Sequence, residues 1–225
     1  MSASLLNQIE YSASHLFAAL VLLGSFALIY QRRMVGMFNA FAFQATALAA
    51  AAAWEAYVQA APHLYVTAGL TFVLKAVVIP LALRRIVRKL DIHRSIEVVI
   101  GIGPTMLAGI ALVVLATLLV LPVMPGVAAI AREELALALA VLLIGLLIMI
   151  TRRNATSLVI GFMSMENGLI LGVVGVAGMP LVVEVSIALA VLVAFIIFGL
   201  FLIRIRERFD SLDAHYLESF RGERR

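Results

Sequence analysis

The chain has 225 residues, of which 64% are hydrophobic and only 13% are charged, and its mean hydropathy is +1.12. A soluble domain of this size could not bury so much apolar surface, so the composition excludes a water-soluble protein and predicts a lipid environment. The lack of cysteine excludes a disulfide framework, a thiolate metal site and an iron–sulfur cluster held by this chain. Its four histidines show no metal-ligand spacing, so we expect no metal site and no cofactor.

Seven stretches are long and apolar enough to cross a bilayer as helices, which takes about 20 residues each. The first has no preceding lysine or arginine and no small-residue cleavage site, so we interpret it as a retained helix and not as a signal peptide. The predicted fold is therefore all-α, a polytopic transmembrane helix bundle of about seven spans. In chain order these spans are 5–30, 34–60, 63–83, 98–121, 133–150, 155–178 and 180–203.

Basic residues predict the orientation of the bundle. With the N-terminus outside and the C-terminus in the cytoplasm, all but two of the 17 lysines and arginines fall in cytoplasmic segments, as the positive-inside rule requires. The exceptions are Arg132, which lies outside, and Lys75, which lies within a span. This topology explains the net charge of +4 without a nucleic-acid partner. It divides the chain into a four-helix membrane region (1–130), a three-helix membrane region (131–204) and a basic cytoplasmic tail (205–225).

Two ionisable residues lie too deep in the predicted spans for easy contact with water. Lys75 stands near the middle of the third span and Glu166 near the middle of the sixth. Such residues are costly in lipid and commonly mark proton or ion pathways. Burial favours the neutral form of both side chains, so we interpret them as a proton relay. A static structural ion pair is the alternative.

Three further ionisable residues lie in or near the spans. His15 is predicted at mid-depth in the first span, where a neutral, hydrogen-bonded histidine packed between helices is the simpler interpretation. Glu55 and Glu184 lie within a turn or two of the outer boundary, where solvation at the interface is the simpler interpretation.

The sixth span carries small residues on one face. At 100° per residue, Glu166 points about 140° away from the centre of this stripe. One face is therefore suited to a closely packed helix, and the opposite face cannot tolerate lipid. Because seven helices are few to enclose both faces, we predict a partner subunit against the Glu166 face. Pro80 supplies no N–H to the preceding turn and is expected to open the third span beside Lys75. The stripe consists of Ser157, Gly161, Ser164, Gly168, Gly172 and Gly175.

The run from Thr151 to Leu171 resembles the hydrogenase-4 component E (HyfE) family, the membrane subunit of formate hydrogenlyase-type, group 4 [NiFe]-hydrogenase complexes. Its most specific element is Met-Glu-Asn-Gly at 165–168. Supporting matches are Phe72-Val-Leu-Lys leading to Pro80, Pro180 with Glu184, and Leu-Glu-Ser-Phe-Arg-Gly at 217–222.

The last three spans also resemble the K-type subunit of respiratory complex I and the C-type subunit of multisubunit cation/proton antiporters. Those proteins share a loop with basic residues and asparagine before a helix that bears a proton-carrying glutamate. Counted from Arg153 and Asn154, that glutamate would fall on Met163, and here Glu166 lies on the neighbouring turn. A second K-type glutamate would fall near Phe195, which is not acidic.

The resemblance implies a non-catalytic subunit of a hydrogenase-like oxidoreductase complex in a bacterial or archaeal plasma membrane. It implies antiporter-like membrane subunits and a cytoplasmic hydrogenase-like arm as partners, with the redox centres on other subunits. In this hypothesis Glu166 exchanges protons, Lys75 is its electrostatic partner or the next relay group, and Asn167 orders a water. His15 and Glu184 are candidate exits. A cation/proton antiporter subunit and a purely structural membrane anchor remain the alternatives.

Overall fold

A computed structural model describes residues 3–89, 100–123 and 129–175. These residues are helical apart from short connections and contain no β-strand, which confirms the predicted all-α class for this part of the chain. The helices are α1 (Ala3–Tyr30), α2 (Met34–Val58), α3 (Pro62–Leu70), a π-helical segment (Thr71–Val78), α4 (Ile79–Lys89), α5 (Ile102–Val123), α6 (Ala129–Thr151) and α7 (Ala155–Val174).

Six helices in the described residues are long and apolar enough to cross a membrane. The third of them is continuous from α3 through the π-helical segment into α4. The predicted seventh span, the cytoplasmic tail and Glu184 lie outside the described residues, and the orientation of the bundle stays a prediction. The six spans are Tyr11–Tyr30, Met34–Val58, Pro62–Arg85, Ile102–Pro122, Arg132–Thr151 and Thr156–Val174.

The connections follow from local chemistry. Ala60 adopts a positive φ of 48° in the turn after α2, and Pro62 then begins α3, where its missing N–H is not needed. Asn154 caps α7 by accepting a hydrogen bond from the Thr156 amide at 2.9 Å. Both turns are tight, so they hold successive helices side by side.

The centre of the bundle is formed by α2 and α7. Helix α2 is rich in alanine, so its neighbours approach closely, and it packs against α1, α3, the π-helical segment and α7. About 67% of the most apolar stretch of α7 is buried, against 22% for α5, which lies at the periphery next to α6 and α1. Polar side chains on α2 and α7 are therefore the ones most removed from lipid.

The two ends of the bundle differ in charge. One end, here called the acidic end, brings together the beginnings of α1 and α6 and the ends of α2 and α7, including Glu55, Glu133 and Glu134. At the opposite, basic end, Arg152 donates hydrogen bonds to the carbonyls of Ile29 at 2.6 Å and Leu28 at 3.4 Å. Arg84 donates to Asn39 there. The predicted orientation would place the acidic end outside.

Candidate functional site

Lys75 lies within the π-helical segment. Eight residues, Thr71 to Val78, form this segment, and the Ile79 amide donates to the carbonyl of Leu74, five residues before it. Pro80 follows directly and cannot donate the next backbone hydrogen bond. The irregular geometry therefore occurs at the position where proline was expected to open the helix. Wide turns of this kind are frequent at functional sites.

Lys75 and Glu166 form a buried ion pair. The Lys75 Nζ atom lies 3.0 Å from Glu166 Oε2, and the two residues are 5% and 3% exposed. Neither charge can be solvated by water at this burial, so each depends on the other and on nearby polar groups. The two residues that stood out in the sequence by their depth are thus direct neighbours.

Two amide side chains extend this pair into a continuous polar chain. Lys75 Nζ donates a hydrogen bond to Asn167 Oδ1 at 2.9 Å, and Asn167 Nδ2 donates to Gln44 Oε1 at 3.2 Å. Gln44 Nε2 then lies within hydrogen-bond distance of the Ser25 hydroxyl at 2.7 Å and the Ser164 hydroxyl at 2.9 Å. We call Ser25, Gln44, Lys75, Ser164, Glu166 and Asn167 the central polar network.

Gln44 is the member of the network that sequence reasoning missed. It is completely buried on α2, and Gly24 on α1 makes room for it, since a Cβ at Gly24 would lie 2.7 Å from the Gln44 Cβ. An amide carries no charge and costs less in lipid than lysine or glutamate, so it does not stand out in an alanine-rich helix. The available signal was the polar position itself in the middle of a predicted span. Asn167 contacts Lys75 and Gln44 directly, and its role in ordering a water stays a prediction.

Lys75 Nζ and Glu166 Oε2 are close enough for a direct hydrogen bond between the two side chains. A proton that moves from Lys75 Nζ to Glu166 Oε2 converts the ion pair into a neutral amine and a neutral acid. In a poorly solvated interior the desolvation cost of two charges offsets much of their attraction, which narrows the free-energy difference between the charged pair and the neutral pair. Asn167 and Gln44 cannot carry the proton, but they hold the lysine in place and stabilise its charged form.

The Glu166 face is covered by the chain itself. The π-helical segment lies against it, and α2 packs beside both elements. One span of the same chain supplies the cover that was predicted to come from a partner subunit, so Glu166 requires no partner at this face. Glu166 Oε1 is nevertheless buried without a hydrogen-bond partner among the described residues.

The glycines on the small-residue face of α7 pack against α6, whereas Ser164 on the same face contacts Gln44 of α2. A Cβ at Gly168 would lie 2.6 Å from the Leu142 backbone nitrogen, and one at Gly161 would lie 2.9 Å from the Met149 side chain. Gly172 has more room, with 3.3 Å to Ala138. The sequence did not single out Gly145 on α6, where a Cβ would lie 2.4 Å from the Met165 nitrogen. The backbones of α6 and α7 are therefore in close contact near the middle of both helices, at Gly145 of α6 and at Gly168 of α7.

His15 lies at the acidic end, beside the beginning of α6, and not midway along the bundle as predicted. His15 Nδ1 is 3.8 Å from Glu133 Oε2, and Tyr11 donates a hydrogen bond to the same oxygen at 2.6 Å. The two rings stack with 5.9 Å between their centres. The contact network of His15 is therefore separate from that of Lys75, and its role as an exit stays a prediction.

Glu55 is held by neighbouring side chains at the same end. It accepts hydrogen bonds from the Ser14 hydroxyl at 2.5 Å and from Gln59 Nε2 at 2.9 Å, and Gln59 also donates to the Val174 carbonyl at 3.0 Å. Gly175, the last residue of the stripe, faces Glu134 at this end. Among the described residues, no group of three or more histidine, aspartate or glutamate side chains is placed to hold a metal ion.

Comparison with known proteins places the chain among its relatives. It is 30% identical to hydrogenase-4 component E of Escherichia coli over 167 residues, which cover 72% of this chain and 76% of that protein. Hydrogenase-4 component E of Shigella flexneri matches equally well. The chain belongs to the hydrogenase-4 component E family. It is also 28% identical to an uncharacterised protein of Mycobacterium tuberculosis, over 89% of this chain and 92% of that protein. No family model and no solved structure matches the chain.

The run that carried the resemblance to the hydrogenase-4 component E family lies at the centre of the bundle. Within Met-Glu-Asn-Gly at 165–168, Glu166 and Asn167 contact Lys75, and Gly168 contacts α6. This run therefore contributes to two faces of α7, one that contacts Lys75 and one that packs against α6. Met163, the position suggested by the K-type resemblance, is buried one turn earlier, and that resemblance stays a prediction.

Arg152 fixes the basic end of α6 to α1. Its guanidinium bonds to the last carbonyls of α1, which carry the partial negative charge of a helix C-terminus. Burial lowers the pKa of Arg152 from its usual value because the charged form loses hydration. We interpret Arg152 as a structural residue of this family member, since its charge is used to cap a helix.

Proposed function

We propose that this chain is a non-catalytic membrane subunit of a formate hydrogenlyase-type, hydrogenase-like oxidoreductase complex, in which it takes part in proton translocation and anchors neighbouring subunits. Membership of the hydrogenase-4 component E family and the six membrane-length helices support this role. The redox centres would lie on other subunits. Antiporter-like membrane subunits and a cytoplasmic hydrogenase-like arm would be the partners, in the plasma membrane of a bacterium or archaeon.

The observation that carries the proposal is the buried Lys75–Glu166 pair at 3.0 Å within the central polar network. A protein that needed only an anchor in lipid would gain more from apolar side chains at these depths, because a buried ion pair adds little net stability. The pair is useful if its proton moves. Glu166 would take up and release the proton, and Lys75 would balance the charge that remains.

The proposal for Glu166 is tested in the purified complex reconstituted into liposomes, with proton movement followed by a pH-sensitive dye. We expect Glu166→Gln to slow proton translocation by about a hundredfold or more, because the amide cannot exchange a proton. Glu166→Asp is the matched variant, since it keeps a carboxyl group and should retain part of the rate. Normal translocation in an assembled Glu166→Gln complex would remove Glu166 from the proton path.

The membership of a redox complex is tested by isolating the subunit from native membranes in mild detergent and identifying the proteins that copurify. A nickel-hydrogenase-like large subunit, iron–sulfur proteins and antiporter-like membrane subunits are the expected partners. Recovery of antiporter-like subunits alone would move the protein to the cation/proton antiporters. A stable protein without partners would contradict the subunit role.

A further inference from the structure

A second buried carboxylate lies outside the central polar network. Glu134, near the beginning of α6, is only 7% exposed, and its Oε1 atom is buried without a hydrogen-bond partner among the described residues. Its other oxygen lies against Gly175 at the end of α7, where a Cβ would be 2.8 Å away. The carboxylate therefore occupies a gap between two helices that only glycine leaves open.

Glu134 lines a small cavity at the acidic end. The cavity has a volume of about 10 Å³, which is the room that one water molecule needs. Its polar lining is Glu134, Glu55 and the Ser14 hydroxyl, and Leu171 and Val174 are among its apolar walls. A water bound there would have the two to four polar partners that a buried water requires.

The charged groups around the cavity are mainly acidic. On α1, Tyr11 and His15 face Glu133, the neighbour of Glu134, and on α2 the facing group is Glu55. The described part of α7 brings no titratable group to the cavity, and no lysine, arginine or histidine is among the residues that line it. Two carboxylates that share one small space repel each other unless a proton binds between them.

The two carboxylates differ in their hydrogen bonds. Glu55 accepts from both Ser14 and Gln59, so donors of this chain already satisfy its oxygens. Glu134 Oε1 has no donor in the described residues. We propose that Glu134 is a proton-exchange site at the acidic end, where a hydronium ion in the cavity gives its proton to Glu134 Oε1 and leaves a water behind.

This site would serve as the outer exchange point of the proton path, and in that respect it rests on the proposed function. Leu171, in the cavity wall, lies one helical turn or about 6 Å along α7 from Asn167 in the central polar network. The inference that Glu134 binds a proton, however, depends only on the contacts of Glu134 itself. The two statements can therefore be tested separately.

The test is infrared difference spectroscopy on the complex in liposomes while the outside pH is stepped. We expect a C=O stretching band of a protonated carboxylic acid that responds to the step, disappears in Glu134→Gln and persists in Glu133→Gln, the same change in the adjacent residue. Gly175→Ala should shift this band, because the added methyl group displaces the carboxyl. An identical spectrum in wild type and Glu134→Gln would overturn the site.

Two comparisons separate this inference from the proposed function. The Glu134 band should remain in Glu166→Gln even if Glu166 carries no protons, so failure of the central relay leaves it detectable. Conversely, Glu134→Gln should slow proton translocation in the assembled complex. Loss of the band with an unchanged translocation rate would overturn the place of Glu134 on the proton path.

Discussion

The middle and the acidic end of the bundle both contain glutamates, but they balance the charge in different ways. In the middle, Glu166 is paired with Lys75, and the surrounding polar groups come from α1, α2 and α7. At the acidic end, Glu133 contacts Tyr11 and His15 and keeps about 41% of its side chain exposed. The middle must supply its own counter-charge, whereas the end can use water. Substitutions should therefore have effects that decrease from the middle to the end.

The largest effect is expected when the ion pair loses one partner. Lys75→Met leaves Glu166 as an unpaired charge in the interior and should destabilise the subunit by about 3–5 kcal/mol. The double variant Lys75→Met, Glu166→Leu removes both charges and should be more stable than Lys75→Met alone. Thermal unfolding of the variants in detergent measures the difference.

The pH dependence of the stability loss in Lys75→Met provides a control for this interpretation. Protonation discharges Glu166, so the destabilisation caused by Lys75→Met should shrink as the pH falls. If the losses of stability caused by Lys75→Met alone and by Glu166→Leu alone simply add in the double variant at every pH, the two residues are not energetically coupled. Wild-type proton translocation in an assembled double variant would favour the structural anchor.

The helical architecture could be predicted because long apolar stretches leave few other choices in lipid. The predicted fourth span began at 98, whereas α5 begins at Ile102, because Pro104 fits the first turn of a helix better than its interior. His15 was predicted too deep because the neighbours of α1 could not be derived from the sequence. The packing of α1 against α6 places it beside Glu133 at the acidic end.

The site could be predicted only in part. Lys75 and Glu166 stand out because charge is rare at membrane depth, and the glycine face of α7 stands out because of its period. Which helices face each other depends on tertiary packing, so neither the contact of Gly168 with α6 nor the contact of Lys75 with Asn167 could be derived. Glu134 resembles an interfacial residue in the sequence, and only the structure shows that it is buried and that its Oε1 atom has no hydrogen-bond partner among the described residues.

A smaller effect is expected for the amides of α2, which offer a matched pair. Gln44→Leu removes the partner of Asn167, Ser25 and Ser164 in the buried middle, and each polar group left unsatisfied costs about 1–3 kcal/mol. Gln59→Leu removes one amide at the acidic end, where solvent can replace the bonds, so its cost should be well below that of Gln44→Leu. Equal losses of thermal stability would contradict the contrast between a dry middle and a wet end.

The glycines of α7 test how closely α6 approaches in the middle and nearer the acidic end, because the same methyl group can be added at both heights. In Gly168→Ala the new Cβ meets the backbone of α6 at 2.6 Å, and backbone cannot move aside cheaply, so we expect a loss of about 1–3 kcal/mol. In Gly172→Ala the nearest atom is a side-chain carbon of Ala138 at 3.3 Å, and a slight shift suffices. Gly69→Ala on α3 meets nothing within 4 Å and serves as the control for the intrinsic effect of alanine in a helix.

The order of unfolding temperatures should be Gly168→Ala lowest, then Gly172→Ala, then Gly69→Ala. If Gly168→Ala unfolds at the same temperature as Gly172→Ala, the backbones of α6 and α7 are not in close contact near the middle. The central polar network would then have no rigid support on its α7 side.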